Sequence, residues 1–356
     1  MDQSNKKSNI DTPLLSIIIP HHGGFNILNE CLESLKKSTF NNYEIIVVDN
    51  NSQDDSIIKV KNKFSDINIL TLKKNLGYAG GCNKGAVKSN GELLLFLNND
   101  TTHNPNWIEL LVNLMKKDNK IGSIQPKILN INKKQLFDYA GGSGGFIDIF
   151  CFPYTRGRIF NHIEEDEGQY DNQQEIFWAS GCAFITRKDL FLKILFDTKL
   201  FTYMEEIDYN WKSILLGYKN LVEPKSIVYH SGGTLENRTF WKNYFNHRNS
   251  MILFLTNHNT LFMLLLLIPK LILEMVSLLR YLALFDVKGI FAQLSSYLWV
   301  LSHPMYLIKR VYNINQIKIH SLYSILDRMY KPSIVFTYFI LRKKKCSELI
   351  NKFTAS

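Results

Sequence analysis

The sequence predicts an α/β fold, a mostly parallel twisted sheet with helices on both faces, and three observations predict it. Apolar, β-branched runs recur at residues 14–19, 44–48, 67–72 and 93–97. Stretches with apolar residues at helical spacing lie between the first three, and polar residues follow the runs. Continuous rather than alternating apolar strands are what burial on both faces requires. Strand and helix alternating at this spacing favours parallel crossovers.

Taken in order, residues 1–12 are a polar tail without the apolar stretch of a signal peptide, expected to be flexible. Strand 14–19 ends at Pro20, and a helix follows around residues 29–37, where Cys31, Leu32 and Leu35 share a face. Strand 44–48 ends at Asp49. An Asp-rich start with Ser52 or Asp54 as cap leads into a second helix over 52–64. Residues 138–174, rich in Gly and acids, read as loops with an irregular β segment. Residues 176–186 read as one strand broken by Gly181, followed by a helix from Arg187. An amphipathic helix over 208–216 is closed by Gly217, and 226–229 is a further strand.

A catalytic domain over 13–248 is expected to give way to a helical region over 249–356. Runs 261–268 and 271–285 are apolar but interrupted by Pro269, Lys270, Glu274 and Arg280. A spanning helix needs about 20 apolar residues. Residues 289–308 reach that length only with Gln293, Ser295, Ser296, Ser302, His303 and Pro304. Lys309, Arg310, Lys318, Arg328, Lys331 and the basic run 342–345 flank these stretches, a mixture expected of helices in an anionic lipid interface. The alternative is a buried helical subdomain.

The formal charge of +10 calls for an anionic partner: nucleic acid, phosphorylated substrate or anionic lipid. No nucleic-acid-binding module is recognisable. The 17 Tyr and 23 Phe suggest aromatic surface facing something apolar. Five scattered cysteines suggest neither disulfides nor zinc and fit the cytoplasm.

In such sheets ligands bind at the carboxyl ends of strands, which directs attention to His21, Asp49, Asn75 and Asn98-Asn-Asp100. Asp100 would hold a divalent ion against a diphosphate, since hard cations prefer oxygen ligands. Asp49 would accept hydrogen bonds from a base or ribose. The glycine-rich stretch from Asn75 to Gly85 would let amides and a lysine approach phosphate. Glu205, Glu206 and Asp208 crowd a helix start behind aromatic residues, where burial suits a carboxylate to general-base work. His230 could complete a metal site.

Ser16 to Pro20, Glu44 to Ser52, Asn75 to Gly85, Leu97 to Asp100, Trp178 to Gly181, Glu205-Glu206-Ile-Asp208 and His230 occur in the order found in the family 2 glycosyltransferases, and the chain resembles their rhamnosyltransferase and galactofuranosyltransferase branch. The resemblance implies a GT-A fold and an inverting displacement of a sugar, first rhamnose from dTDP-rhamnose, from a nucleoside diphosphate onto a hydroxyl. It implies Mg2+ or Mn2+ on Asp100 and His230, and donor nucleotide contacts from Pro20, His21, Asp49, Asn51, Asn75, Gly80, Asn83 and Asn99. Glu205 and Glu206 would form the acidic pair whose second member is the base, and Trp178, Gly181 and Asp208 would line the acceptor side. Glu206 stands where the family usually has Asp, Gly23 where Asn or Asp is common, and Lys212 where Arg is common. A glycan or polyprenyl-linked glycan acceptor, an anionic membrane surface and a cytoplasmic-face location follow, peripheral or monotopic, with a spanning segment also compatible. A homo-oligomer is compatible with the sequence, and an inactive membrane-bound scaffold is the alternative to an enzyme.

Overall fold

The computed structural model describes residues 12–232, 240–317 and 325–349. Nearly all of the expected tail, the second glycine after Ser231, and Lys318 lie outside the described residues. Strands β1 (Leu15–His21), β2 (Tyr43–Asp49), β3 (Asn68–Thr71) and β4 (Leu93–Leu97) pair in parallel in the order β4-β1-β2-β3. Ile17, Ile19, Val47 and Leu95 face one core with helices α1 (Phe25–Leu35), α2 (Ser56–Lys63) and α4 (Trp107–Lys117). Ile18, Val48 and Phe96 face a second core with α3 (Gly77–Lys88) and α5 (Lys188–Ile194). Successive side chains point to opposite faces, so both must be apolar, and each fully buried Ile, Leu or Phe contributes roughly 1.5–3 kcal/mol.

The other half of the nine-stranded sheet is mixed, but only three strands run against the other six, so the sheet is mostly parallel as expected. β12 (Ala183–Arg187) lies antiparallel between β4 and β6 (Ile121–Asn130). β13 (Lys219–His230) runs parallel to β6 and carries β5 (Thr101–His103) and β11 (Gln174–Ile176) antiparallel to it. The strand expected over 176–186 is therefore two. Ile176 pairs with Asn220 while Ala183 pairs with Leu97, and the turn holding Gly181 carries the chain between them. Within the region expected as loops, β7 (Gly145–Ile147), β8 (Pro153–Thr155), β9 (Arg158–Ile159) and β10 (His162–Ile163) form a small antiparallel sheet.

Helix α6 (Glu205–Leu215) packs between this body and α7 (Phe240–Asn257), α8 (Thr260–Ala283), α9 (Val287–Ser302) and α10 (Pro304–Ile317). The expected boundary at 248 falls inside α7. The chain then returns: Ile149 N donates to Tyr330 O at 3.1 Å, Ile334 N at the start of α11 (Ile334–Phe339) donates to Asp148 Oδ2 at 2.9 Å, and Cys346 N donates to Glu164 Oε1 at 3.1 Å.

Pro269 does not break α8, whose 24 residues make it the one helix among those described that is long and apolar enough to cross a membrane. Only 11% of its apolar window is buried. Lys270 and Glu274, which interrupt the run in sequence, pair at 2.8 Å facing inward, so the outer surface stays apolar. The apolar stretch 289–308 is two helices, because Ser302 ends α9 and Pro304, at home in a first turn, opens α10. Their 16 and 14 residues fall short of a span.

Asp208 of α6 is fully buried, 2.6 Å from Arg310 Nη2 and 2.6 Å from Lys212 Nζ, and it accepts a 2.8 Å bond from Asn257 Nδ2. Burial alone would raise its proton affinity, but Arg310 and Lys212 hold it well below the usual carboxylate range. Arg310 also pairs with Asp197. Arg310→Met leaves buried Asp208 with Lys212 as its remaining cation and takes away the ion pair of Asp197, and is expected to cost about 3–5 kcal/mol, read as a lower midpoint in urea denaturation.

Candidate active site

Register Pro20↔Val48 and His21↔Asp49 puts the carboxyl ends of β1 and β2 side by side, and β4 ends on the same edge. After β4 the chain turns into β5, whose pairing with β13 sets His230 opposite Thr101. That register brings His230 Nε2 to 3.1 Å from Asp100 Oδ1. On its other side His230 Nδ1 lies 2.8 Å from Oδ1 of buried Asp138. Burial disfavours an imidazolium here, yet Cys182 and the hydrogen bonds to Asp100 and Asp138 together lift the His230 pKa well above its ordinary value. A divalent ion between Asp100 and His230 would take the place of that proton. Asp100 Oδ1 is buried and has only that histidine contact, so it can turn to a metal ion once the proton is displaced. Among the described residues no third His, Cys, Asp or Glu completes a metal cluster. The pair thus fits an Mg2+ or Mn2+ ion that takes its remaining ligands from substrate phosphate and water, with Asp138 orienting the histidine.

The acids of α6 arrive by a strained route. Phe201, Tyr203 and Met204 have φ of 67°, 65° and 68°, in the left-handed region that non-glycine residues rarely adopt. Asn249 of α7 holds this loop: its Nδ2 lies 3.0, 3.0 and 2.7 Å from the carbonyls of Leu200, Thr202 and Tyr203. Glu205 and Glu206 then enter the first turn of α6, each with a buried Oε2 that no hydrogen bond satisfies. Burial, then the charge of Glu206, raises the Glu205 pKa well above normal, and burial lifts that of Glu206 to about 7.

Asp100, His230, Trp178, Gly181, Glu205 and Glu206 line one cavity of about 380 Å3. Trp178 Nε1 donates to Phe146 O at 2.8 Å, and the Tyr78 hydroxyl donates to Gly181 O, so both acceptor-side residues are fixed. Sequence reasoning missed Tyr154 and Arg158 of the small sheet and Lys242 of α7, which line the same cavity.

The expected donor residues lie along the sheet edge outside this cavity. His21 joins Asn99 at 2.8 Å and Ser56 at 2.9 Å, and Asp49 Oδ1 accepts from Ser52 N at 2.8 Å. Asn51 has a left-handed φ of 65°. Pro20 packs beside Gly81 at the start of α3. Asn75 Oδ1 accepts from Gly77 N at 2.8 Å.

Asp208, Gly80 and Asn83 make contacts that the sequence did not show. Asp208 points away from the acceptor cavity, because Arg310 and Lys212 hold its carboxylate on the opposite side of α6. Gly80 and Gly85 of α3 are required by close packing. A Cβ at Gly85 would come within 2.5 Å of Ile18 Cγ2, and one at Gly80 within 2.5 Å of Leu76 Cβ. Asn83 exchanges hydrogen bonds of 2.8 and 3.0 Å with the Phe196 backbone, which occupies its amide. At the second helix, Asp54 rather than Ser52 accepts from Ser56 N, at 3.2 Å. Gly23 has φ 93°, and a Cβ there would press on Asp54 at 3.3 Å, which explains a glycine at that position.

A mixed α/β sheet of this order, with helices on both faces, is the fold of the GT-A transferases. The crystal structure of GalNAc-T7 with UDP, GalNAc and Mn2+ superposes with a TM-score of 0.52 at 20% identity, over 68% of this chain and 51% of that one. Residues 16–195, about half of the chain, match the model of glycosyl transferase family 2, and the chain belongs to that family. An uncharacterised glycosyltransferase of Rickettsia prowazekii (strain Madrid E) is 36% identical over 115 residues, 32% of this chain and 36% of that one. The UDP-Glc:alpha-D-GlcNAc-diphosphoundecaprenol beta-1,3-glucosyltransferase WfgD of Escherichia coli is 32% identical over 112 residues, 31% of this chain and 44% of that one. This chain is matched over less than half the length of either relative. Glu205, Glu206 and His230 lie beyond the residues the family model matches.

The folded chain protonates Glu206 near pH 7, against an ordinary value of 4.5, so the native state binds more protons across that interval. The stability this group contributes therefore falls as pH rises from 4.5 to 7. Glu206→Gln is expected to raise the melting temperature at pH 8 and to leave it unchanged at pH 4, as a thermal melt at both values reads directly.

Proposed function

We propose that the chain is an inverting glycosyltransferase that moves a sugar from a nucleoside diphosphate onto a hydroxyl of a glycan or lipid-linked glycan, at the cytoplasmic face of a membrane. One observation carries the reading: the acidic pair and the Asp100–His230 pair face the same cavity, beside the sheet edge where Asp49 and His21 stand. The E. coli relative, by its name, acts on a diphosphoundecaprenol-linked acceptor, and GalNAc-T7 holds UDP and Mn2+, which supports both a lipid-linked acceptor and a divalent ion here. Rhamnose is the proposed sugar, on the resemblance alone.

In this chemistry the Glu206 carboxylate takes the acceptor hydroxyl proton as that oxygen bonds to the anomeric carbon and the bond to the diphosphate breaks. A base poised near pH 7 balances ionisation against proton affinity. Glu205, more strongly protonated, adds no competing charge. Trp178 offers a flat apolar face for a sugar ring. A bound Mg2+ or Mn2+ would offset charge on the leaving diphosphate. The exposed apolar face of α8, flanked by basic residues, supports a membrane location.

A thermal-shift screen with UDP, GDP, dTDP and CMP sugars, each with and without Mn2+, tests the donor site. One nucleotide is expected to stabilise the chain only with metal, and Asp100→Ala to remove that shift. Glu206→Gln is expected to keep the shift and to lower transfer about 10²–10⁴-fold. Loss of transfer in Glu205→Gln with normal Glu206→Gln would move the base by one residue. Transfer by the parent should fall as pH drops through about 7, where Glu206 gains its proton.

A further inference from the structure

A second cavity, of about 610 Å3, opens on the far side of α6 between the end of α5 and α10. Five cations line it: Lys193, Lys199, Lys212, Lys309 and Arg310. Its carboxylates are already engaged, since Arg310 pairs with Asp197 and Asp208, Lys212 pairs with Asp208, and Tyr306 donates to Asp197 at 2.8 Å. Lys193, Lys199 and Lys309 are exposed and form no ion pair among the described residues. Positive charge is thus left over at the cavity's mouth.

Tyr306, Lys309, Arg310, Asn313 and Ile317 recur at helical spacing along the face of α10 that lines the cavity. Met305, Ile308 and Tyr312 form the adjoining stripe of the same helix, 74%, 60% and 63% exposed. Leu298 and Leu301 of α9, the helix just before α10, are also exposed. A ligand matching both stripes carries an anionic oxygen group at one end and hydrocarbon at the other.

We propose that this cavity is a binding site for the phosphate headgroup of an anionic membrane lipid, separate from the catalytic cavity. Lys193, Lys199 and Lys309 receive the phosphate while the neighbouring stripe meets the acyl chains. The inference rests on the membrane reading above and deepens it, from general surface attraction to a discrete site.

Vesicle flotation tests it, with phosphatidylcholine vesicles carrying or lacking phosphatidylglycerol. Any lysine near such a surface adds general attraction, so a control with equal charge loss is required. The triple variant Lys193→Gln, Lys199→Gln, Lys309→Gln is compared with Lys343→Gln, Lys344→Gln, Lys345→Gln, and both are checked for an unchanged melting temperature. The expected result is binding that depends on phosphatidylglycerol and is weakened at least 10-fold more by the cavity variant than by the control. Equal losses would leave the membrane reading standing and overturn the headgroup site. No vesicle binding by the parent would overturn both. If pyrophosphate or glycerol phosphate stabilises the parent and not the cavity variant, while vesicles bind both alike, the cavity takes a soluble phosphate and the lipid assignment falls.

Discussion

Arg310 reaches from α10 into the body of the molecule and ends between Asp197, after α5, and Asp208, on α6. None of the three groups could be buried alone without a penalty of several kcal/mol. The C-terminal helices and α6 therefore keep a fixed relation. Because Glu205 and Glu206 occupy the first turn of that same α6, their place beside the sheet edge is set from two directions. Arg310 grips the helix one turn further on, and Asn249 grips the strained loop before it. The sheet supplies the opposing wall through the β5 and β13 pairing that joins Asp100 to His230.

The parts of this arrangement that were legible in the sequence are those encoded locally. A five-residue strand of Leu and Phe can only be buried on both faces, so β4 and the position of Asp100 at its end could be read directly. The acids at a helix start behind aromatic residues were equally plain. What escaped was set by long-range pairing. Asp138 sits in a stretch without periodicity, and only the fold brings it to His230. Arg310 looked like one more interfacial cation, and its carboxylate partners lie more than a hundred residues away in sequence.

Two local readings meet the same physical limit. Glycines in α3 and charges in α8 each have a common local meaning, phosphate approach in one case and interruption of a membrane helix in the other. In both the decisive contact is with another element. Gly85 lets α3 sit flush on β1 and β2, and Lys270 turns inward to Glu274 and within 3.8 Å of the Phe152 ring centroid. The same residue types thus serve packing, and a single chain offers no sign of which face they occupy until the neighbouring element is known.

The return of the chain after α10 gives the apolar helices two moorings rather than one. α7 leaves the α/β body beside the acids, and the segment from Tyr330 to Cys346 ties back onto the small sheet through Ile147, Asp148 and Glu164. A helix hung from a single tether can swivel, and the body it carries can tumble above whatever surface holds it. A helical loop fastened at both ends removes that freedom. The cavity mouth, and the two glutamates inside it, keep one tilt and one height relative to the outer face of α8.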